Sequence, residues 1–384
     1  MVLDLPLSKL HTPAFVINED MIEKKMSAIQ LLKEEVDCNV LYTLKPLIIK
    51  EILTRMVPYL NGFSASSLFE ARIAADVIGS DGTIHYTSPG LTANDFSQLN
   101  ELCDYIAFNS LTQFSQFKNS LSKQTHYGLR INPQKSFVDD PRYDPCGKHS
   151  RLGISLKQLN DFLEQNPTAL KNISGIHFHS NCDSPSLSPL LETVIHLLRN
   201  SEHFIKQLKW INLGGGYLFE VTTDYTPLYE AVSLLRQHGL QVFIEPGATL
   251  VRESGFIVAT IIDLFESEDA HIAILDTTVN HMPEVFEYQY KPDILEENPD
   301  GKYTYLLQGA SCLAGDVFGK YTFDKPLEIG YRLVFKDMGA YTFVKNHMFN
   351  GINLPTLYLF SKARGLYKKK QYSYEDFLSR IGET

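Results

Sequence analysis

From about residue 40 to residue 250 the chain repeats one pattern. A short apolar run ends in small or polar residues, and an amphipathic segment follows. The runs are Val40 to Lys45, Gly62 to Ser67, Ile84 to Pro89, Tyr105 to Ser110, Tyr127 to Pro133, Gly175 to Ser180, Trp210 to Gly215 and Val242 to Gly247. Each reads as a strand buried on both faces. Most are separated by segments with helical spacing, such as Leu68 to Ile78, Asn94 to Leu102 and Leu228 to His238. Eight alternations of strand and helix predict a (β/α)8 TIM barrel. The competing doubly wound sheet lacks its usual G-x-G-x-x-G after the first strand. Ahead of the series, Thr12 to Ile17 reads as a strand, and Asn18 is placed to cap a helix running to about Glu35.

After about Arg252 the rhythm changes. Phe256 to Leu264, His271 to Asp276, Tyr303 to Gln308, Tyr331 to Phe335 and Leu357 to Phe360 are β-rich with little helix between them. They predict a C-terminal all-β domain closed by a helix from Tyr374 to Ile381. The expected division is therefore 14–250 for the barrel, with 1–13 and 251–384 forming the β-rich domain. Gln134 to Ser155 interrupts the barrel rhythm with a long loop of the kind that is usually functional or mobile.

Composition narrows the class. With 384 residues, 44% hydrophobic and 21% charged, the chain is an ordinary soluble globular protein. A net charge of −10 argues against nucleic acid or anionic membrane as partner. Five scattered cysteines without a C-x-x-C pair indicate neither a disulfide framework nor a zinc ribbon. No signal peptide or membrane-spanning run is evident, so the expected compartment is cytoplasmic.

The ends of the strands carry the chemistry. Lys45 closes an apolar strand and Pro46 bars its continuation. A desolvated lysine has a lowered pKa and is the type that forms Schiff bases; the alternative is a lysine snorkelling to water. Gly214, Gly215 and Gly216 follow the seventh strand, where barrels commonly bind phosphate through backbone N–H groups, although such a triplet also serves as a plain turn. Glu245, before Pro246 and Gly247, ends the eighth strand. A carboxylate there is suited to the pyridinium nitrogen of pyridoxal 5'-phosphate (PLP), or to a surface turn. His177 and His179 share one face of the sixth strand. No third ligand stands at recognisable spacing, so no metal is expected. His177 reads as a core histidine, and His179 as one placed to stack on a cofactor ring. Cys312 lies in a small-residue loop before Asp316, as a proton donor or a buried thiol. Tyr341 follows Gly339-Ala340, with a phenol to reach a phosphate or to pack.

The order of these features is more specific than any one of them. With Tyr42-Thr-Leu-Lys-Pro, Tyr127-Gly-Leu-Arg-Ile-Asn-Pro, Ser150-Arg-Leu-Gly, His281-Met-Pro-Glu-Val, Cys312-Leu-Ala-Gly-Asp and Phe349-Asn-Gly-Ile, the sequence resembles the PLP-dependent decarboxylases of the alanine-racemase fold. Within that group it is most similar to the carboxynorspermidine type. The resemblance implies a cytoplasmic homodimer with shared active sites, a lyase of polyamine biosynthesis acting on a small amino acid. Lys45 would hold PLP, His179 would stack on it, and Glu245 would pair with its nitrogen. Gly214, Gly215, Gly216, Gly247 and Tyr341 would hold the phosphate, and Arg151 the phenolic oxygen. Cys312 would protonate the substrate carbon, with Asp316, Cys182 and Tyr217 on the substrate side. Ala248 and Tyr217 depart from the family's acidic residue and histidine, and Ser180-Asn-Cys-Asp from its Asn-Leu-Cys-Glu. The reacting unit would be a 3-amino-3-carboxypropyl group, on a polyamine or on a nucleotide or peptide natural product, as in microcin C-like biosynthesis. A racemase would need a tyrosine opposite the lysine, where this chain offers Cys312. A non-enzymatic PLP carrier would lack the β domain.

Overall fold

A computed structural model describes residues 5–80 and 82–383. They divide into two units: Lys25–Leu250, and the segments up to Lys24 and from Val251 onward.

In the first unit eight parallel strands follow one another around a closed barrel: Asn39–Thr43, Gly62–Ala65, Thr83–Ser88, Tyr105–Phe108, His126–Asn132, Gly175–His177, Trp210–Asn212 and Gln241–Ile244. The last strand returns to the first through the pairs Phe243 with Asn39 and Ile244 with Val40. These are the eight runs expected from the sequence. Their starts and stops are enforced locally. Ser67, Thr92, Ser110 and Ser155 each accept, on the side-chain oxygen, the N–H three residues on, capping the helices Leu68–Ile78, Ala93–Leu102, Leu111–Phe117 and Leu156–Gln165. Each such cap contributes about 1 kcal/mol and fixes where a strand hands over to a helix. The interior of the barrel is filled by Leu41, Tyr105, Ala107, Trp210 and Phe243. The Trp210 ring lies so close over Gly128 and Gly175 that a Cβ at either would stand 2.6 or 2.0 Å from it.

The second unit is a sheet in the order Val317–Phe323, Tyr303–Gln308, Ala270–Leu275, Gly255–Ser267, Ala14–Asn18, Thr356–Ser361 and Gly365–Lys370, with Arg332–Phe335 also paired to Gly255–Ser267. Ala14–Asn18 is thus an inner strand of this sheet, antiparallel to one neighbour and parallel to the other. The expected barrel boundary at residue 14 is corrected accordingly: all five residues of that strand are buried within the β unit. Asn18 Oδ1 then accepts the Met21 N–H, 3.3 Å away, at the start of helix Glu19–Val36.

Two strands of this sheet were not expected. Gly319 and Lys320 interrupt the apolar run of Val317–Phe323, and this strand carries a bulge there, because Leu307 pairs with Gly319 but Gln308 with Val317. Gly365–Lys370 ends in three lysines, the composition of an edge strand that discourages further pairing. The closing helix, Tyr374–Arg380, is as expected. No helix among the described residues is long and apolar enough to cross a membrane.

Candidate active site

Lys45 stands just past the first barrel strand. Its position is set by backbone bonds from Thr43 to the Pro246 carbonyl (3.3 Å) and from Leu44 to the Ser64 carbonyl (3.0 Å). The Tyr42 hydroxyl closes the turn on the Leu47 carbonyl (3.1 Å). Solvent reaches the Lys45 side chain at the barrel mouth, yet protein crowds it closely. Burial therefore pulls its pKa below the usual lysine value; Glu245 and Glu70 oppose this and Arg130 adds to it. The outcome is an amine closer to its nucleophilic form than a surface lysine.

Glu245 is 7% exposed. Asn212 Nδ2 donates to its Oε1 at 2.7 Å, and His177 Nε2 lies 3.5 Å from its Oε2. Burial alone would raise the carboxyl's pKa. The imidazoles of His177 and His85 and a hydrogen bond from Ser64 outweigh it and hold the group well below the usual range. Glu245 is thus an ionised carboxylate in a nearly dry site. Burial lowers the pKa of His177 itself, and the Glu245 carboxylate that its Nε2 faces opposes that shift. His179 Nδ1 accepts the Gly215 N–H at 3.1 Å, which places its own proton on Nε2. Burial, then Lys45 and Arg130, lower its pKa well below the usual value, so the ring is neutral. Among the described residues no group of three or more His, Cys, Asp or Glu side chains is placed to hold a metal ion.

The glycine triplet is required by close backbone approach. Gly214 and Gly216 have φ of +67° and +92°. A Cβ on Gly214, Gly215 or Gly216 would lie 2.4, 2.2 or 2.2 Å from the carbonyl oxygens of Phe178, Glu245 and Asn181 respectively. The expectation that all three N–H groups face an anion is corrected, because two are already engaged. Gly214 N–H donates to Asn212 Oδ1 (2.9 Å) and Gly215 N–H to His179. The N–H groups of Gly216 and Gly247 donate to no protein group among the described residues. A Cβ on Gly247 would meet Thr43 Cγ2 at 2.4 Å.

This set fits PLP: an amine with a lowered pKa, a buried ionised carboxylate, a neutral imidazole and two unengaged backbone N–H groups, gathered at one end of the barrel. Lys45, His179, Gly216, Glu245 and Gly247 are the predicted residues that carry it. Cys182 is half-buried and within the field of Lys45. Tyr217 is 5% exposed, with Ser180 and Asn181 beside its hydroxyl and a backbone bridge to Ser184, and is thus a buried neighbour of the 180–184 segment. The Arg151 side chain is exposed. Its carbonyl accepts from Asn109 Nδ2 (2.8 Å), while Asn109 Oδ1 takes the Gly153 N–H (2.9 Å), so one asparagine pins the end of the long 134–155 loop to the fourth strand.

Cys312, Asp316 and Tyr341 belong to the β unit. Cys312 is exposed. Tyr341 is half-buried with φ +61° at the start of the helix Thr342–Lys345. Asp316 is 3% exposed and accepts three hydrogen bonds from its own surroundings, which corrects its expected role as the partner of a substrate amine.

Three residues near Lys45 and Glu245 carry no assigned role in the sequence-derived site, although Arg130 and Asn212 stand at carboxyl ends of strands, which a barrel gathers on one face. Arg130, 8% exposed, has its pKa lowered by burial to about 10 and remains a cation. Glu70 accepts the Ser66 N–H at 2.5 Å and, in sequence, reads only as the third residue of a capped helix. Asn212 reads as a strand terminator, yet one amide holds both Glu245 and Gly214. The signal for Arg130 was its place two residues before the end of an apolar strand.

Residues 19–260 match the family described as pyridoxal-dependent decarboxylase, pyridoxal binding domain. The carboxynorspermidine/carboxyspermidine decarboxylase of Campylobacter jejuni is 34% identical over 391 residues, spanning 97% of this chain and 99% of that protein. The carboxyaminopropylagmatine decarboxylase of Synechocystis sp. is 33% identical over 385 residues, spanning 98% and 97%. The crystal structure of the C. jejuni carboxynorspermidine decarboxylase complexed with norspermidine is similar with a TM-score of 0.84 at 32% identity, spanning 97% of this chain and 100% of that one.

Proposed function

Because this chain belongs to the pyridoxal-dependent decarboxylases, with full-length similarity to the carboxynorspermidine type, we propose that it removes carbon dioxide from a 3-amino-3-carboxypropyl group carried on an amine. One observation carries the choice of substrate. The two similar relatives, named for carboxynorspermidine/carboxyspermidine and for carboxyaminopropylagmatine, share a carboxylated aminopropyl arm and differ in what bears it.

Bound PLP supplies the electron sink that accepts the pair left when carbon dioxide departs. The residues of this chain prepare for that. Lys45 presents an amine whose charged form burial disfavours, and it holds the cofactor. Glu245, fixed on one oxygen by Asn212, keeps a proton on the ring nitrogen. His179, neutral and held by Gly215, offers a flat face without adding charge beside the ring. Gly216 and Gly247 offer their N–H groups to the phosphate. Cys312 gives its S–H proton to the carbon that lost the carboxylate, and its thiolate is reprotonated from water. That thiol is supplied across a homodimer.

The test is a comparison of kcat/KM for carboxynorspermidine, carboxyspermidine, carboxyaminopropylagmatine, ornithine, diaminopimelate and an aminocarboxypropylated nucleotide. One of the first three is expected to lead. Ornithine or diaminopimelate leading would defeat the arm; the nucleotide leading would keep the arm and refute the amine. Lys45→Ala tests the cofactor attachment: borohydride should label Lys45 in the wild type and no peptide in the variant. A variant labelled as fully as the wild type would remove Lys45 from the role.

A further inference from the structure

Three motifs of the β unit stand apart in sequence and converge on one loop. Cys312 sits at its exposed tip. The loop's end residue, Asp316, is buried, and its carboxylate works as a clamp. Oδ1 accepts the Val279 N–H (2.8 Å), while Oδ2 accepts the Ser311 N–H (3.0 Å) and hydroxyl (2.5 Å). Gly309 N–H returns to the Asp316 carbonyl (2.9 Å), and a Cβ on Gly309 would lie 2.2 Å from the Asp316 carboxylate. Ala310 N–H bonds the Thr277 carbonyl (3.0 Å), and Thr277 Oγ1 is 3.0 Å from Nδ1 of the fully buried His281. The tip has a separate tie: Cys312 N–H donates to Asn350 Oδ1 at 2.9 Å. Asn350 is held at φ +55° inside Phe349-Asn-Gly-Ile.

We propose that Asp316 and Asn350 are positioning residues for Cys312, and that the segments around His281, Cys312 and Asn350 form a single device for presenting that thiol. The proposal rests on the reading of Cys312 as the proton donor. A donor must lie within hydrogen-bond reach of its acceptor carbon, and a displacement of about 1 Å costs on the order of a hundredfold. An exposed loop of small residues would not hold such a position unaided. A carboxylate that accepts three hydrogen bonds fixes both ends of this one, and an asparagine fixes the main chain of the cysteine itself. Asn350 keeps its left-handed backbone more readily than most residues and brings an acceptor to it, which glycine does not.

The test uses holoenzyme of Asn350→Gly, Asn350→Asp, Asp316→Asn and Cys312→Ala. The product is divided into amine and aldehyde. When the proton reaches the cofactor's carbon in place of the substrate's, hydrolysis by water yields the aldehyde and pyridoxamine phosphate. The aldehyde share should rise about fivefold or more in Asn350→Gly and Asp316→Asn, with KM within about twofold. It should stay near wild type in Asn350→Asp, which retains the acceptor. Alkylation of Cys312 by iodoacetamide, followed by peptide mass spectrometry, should speed up about threefold or more in the first two variants. Should Asp316→Asn fail to fold, Asn350→Gly decides alone, because glycine accepts the backbone. A raised aldehyde share in Cys312→Ala with wild-type behaviour in Asn350→Gly would overturn the inference and leave the donor in place. An unchanged share in Cys312→Ala would instead refute the donor reading.

Discussion

Gly216→Ala tests whether the barrel mouth is as closely fitted as its backbone implies. Alanine must adopt φ near +92° and place its Cβ 2.2 Å from the Asn181 carbonyl oxygen and 3.2 Å from the Cys182 nitrogen. The conformation alone costs about 1–2 kcal/mol. The contact adds more, because what it strikes is backbone. Asn181 is 1% exposed, and its segment is joined to the glycine loop by Ser184 N–H to the Gly216 carbonyl (2.9 Å) and Leu218 N–H to the Ser184 carbonyl (2.8 Å). Opening a gap of roughly 1 Å strains or breaks those bonds, each contributing about 1 kcal/mol. Together about 3 kcal/mol is expected, which lowers the melting temperature of a domain this size by roughly 6–12 °C. Displacing the Gly216 N–H should also remove one charge-assisted bond to the phosphate and weaken PLP about tenfold to a hundredfold. Differential scanning calorimetry of the cofactor-free protein reads the first effect, and absorbance titration with PLP the second. Gly239→Ala is the control. Its φ is +78° but a Cβ there meets nothing within 4 Å, so it bears the conformational cost alone. Equal melting temperatures for the two variants would refute the close fit.

Glu245→Gln preserves the shape and the Asn212 contact but removes the charge; a unit pair at about 3 Å with an effective dielectric near 20 is worth roughly 5 kcal/mol before desolvation is set against it. Turnover should therefore fall about 10²- to 10³-fold, and a loss within threefold would place another group at the ring nitrogen. His85 is 4% exposed, stacked on Tyr105 with ring centroids 4.1 Å apart, and burial pushes its pKa down to about 3. Its folded pKa lies below the unfolded value, so the unfolded chain binds the extra proton and stability is lost as pH falls from about 6.5 toward 3; from pH 7 to 5 that amounts to about 2 kcal/mol. His85→Phe should remove that share of the acid sensitivity of the melting temperature, and an identical pH dependence in the variant would count against a neutral buried imidazole there.

What the sequence displays and what it hides divide along a physical line. The barrel is legible because each strand is a continuous apolar run, and because serine or threonine caps mark where four of its helices begin; both signals are local. Lys45 and Glu245 are legible for a related reason, since a charge at the end of a buried strand is costly and demands an explanation. Arg130, Glu70 and Asn212 are just as close to the chemistry, but their significance lies in what faces them across the barrel, from strands far away in the chain. A strand terminator and a capping glutamate are sufficient local accounts of the last two. Asp316 shows the limit most sharply. Its spacing from Cys312 is the same whether its carboxylate meets a substrate amine or the N–H groups of Val279 and Ser311. Only the path of the backbone distinguishes the two, and the path chosen converts a binding residue into one that holds its neighbour in place. The glycine triplet makes the same point from the backbone side. Three glycines promise three donors, but Asn212 and His179 claim two of them, so the loop spends most of its hydrogen bonds fixing the residues around the cofactor site and retains one open N–H for an anion.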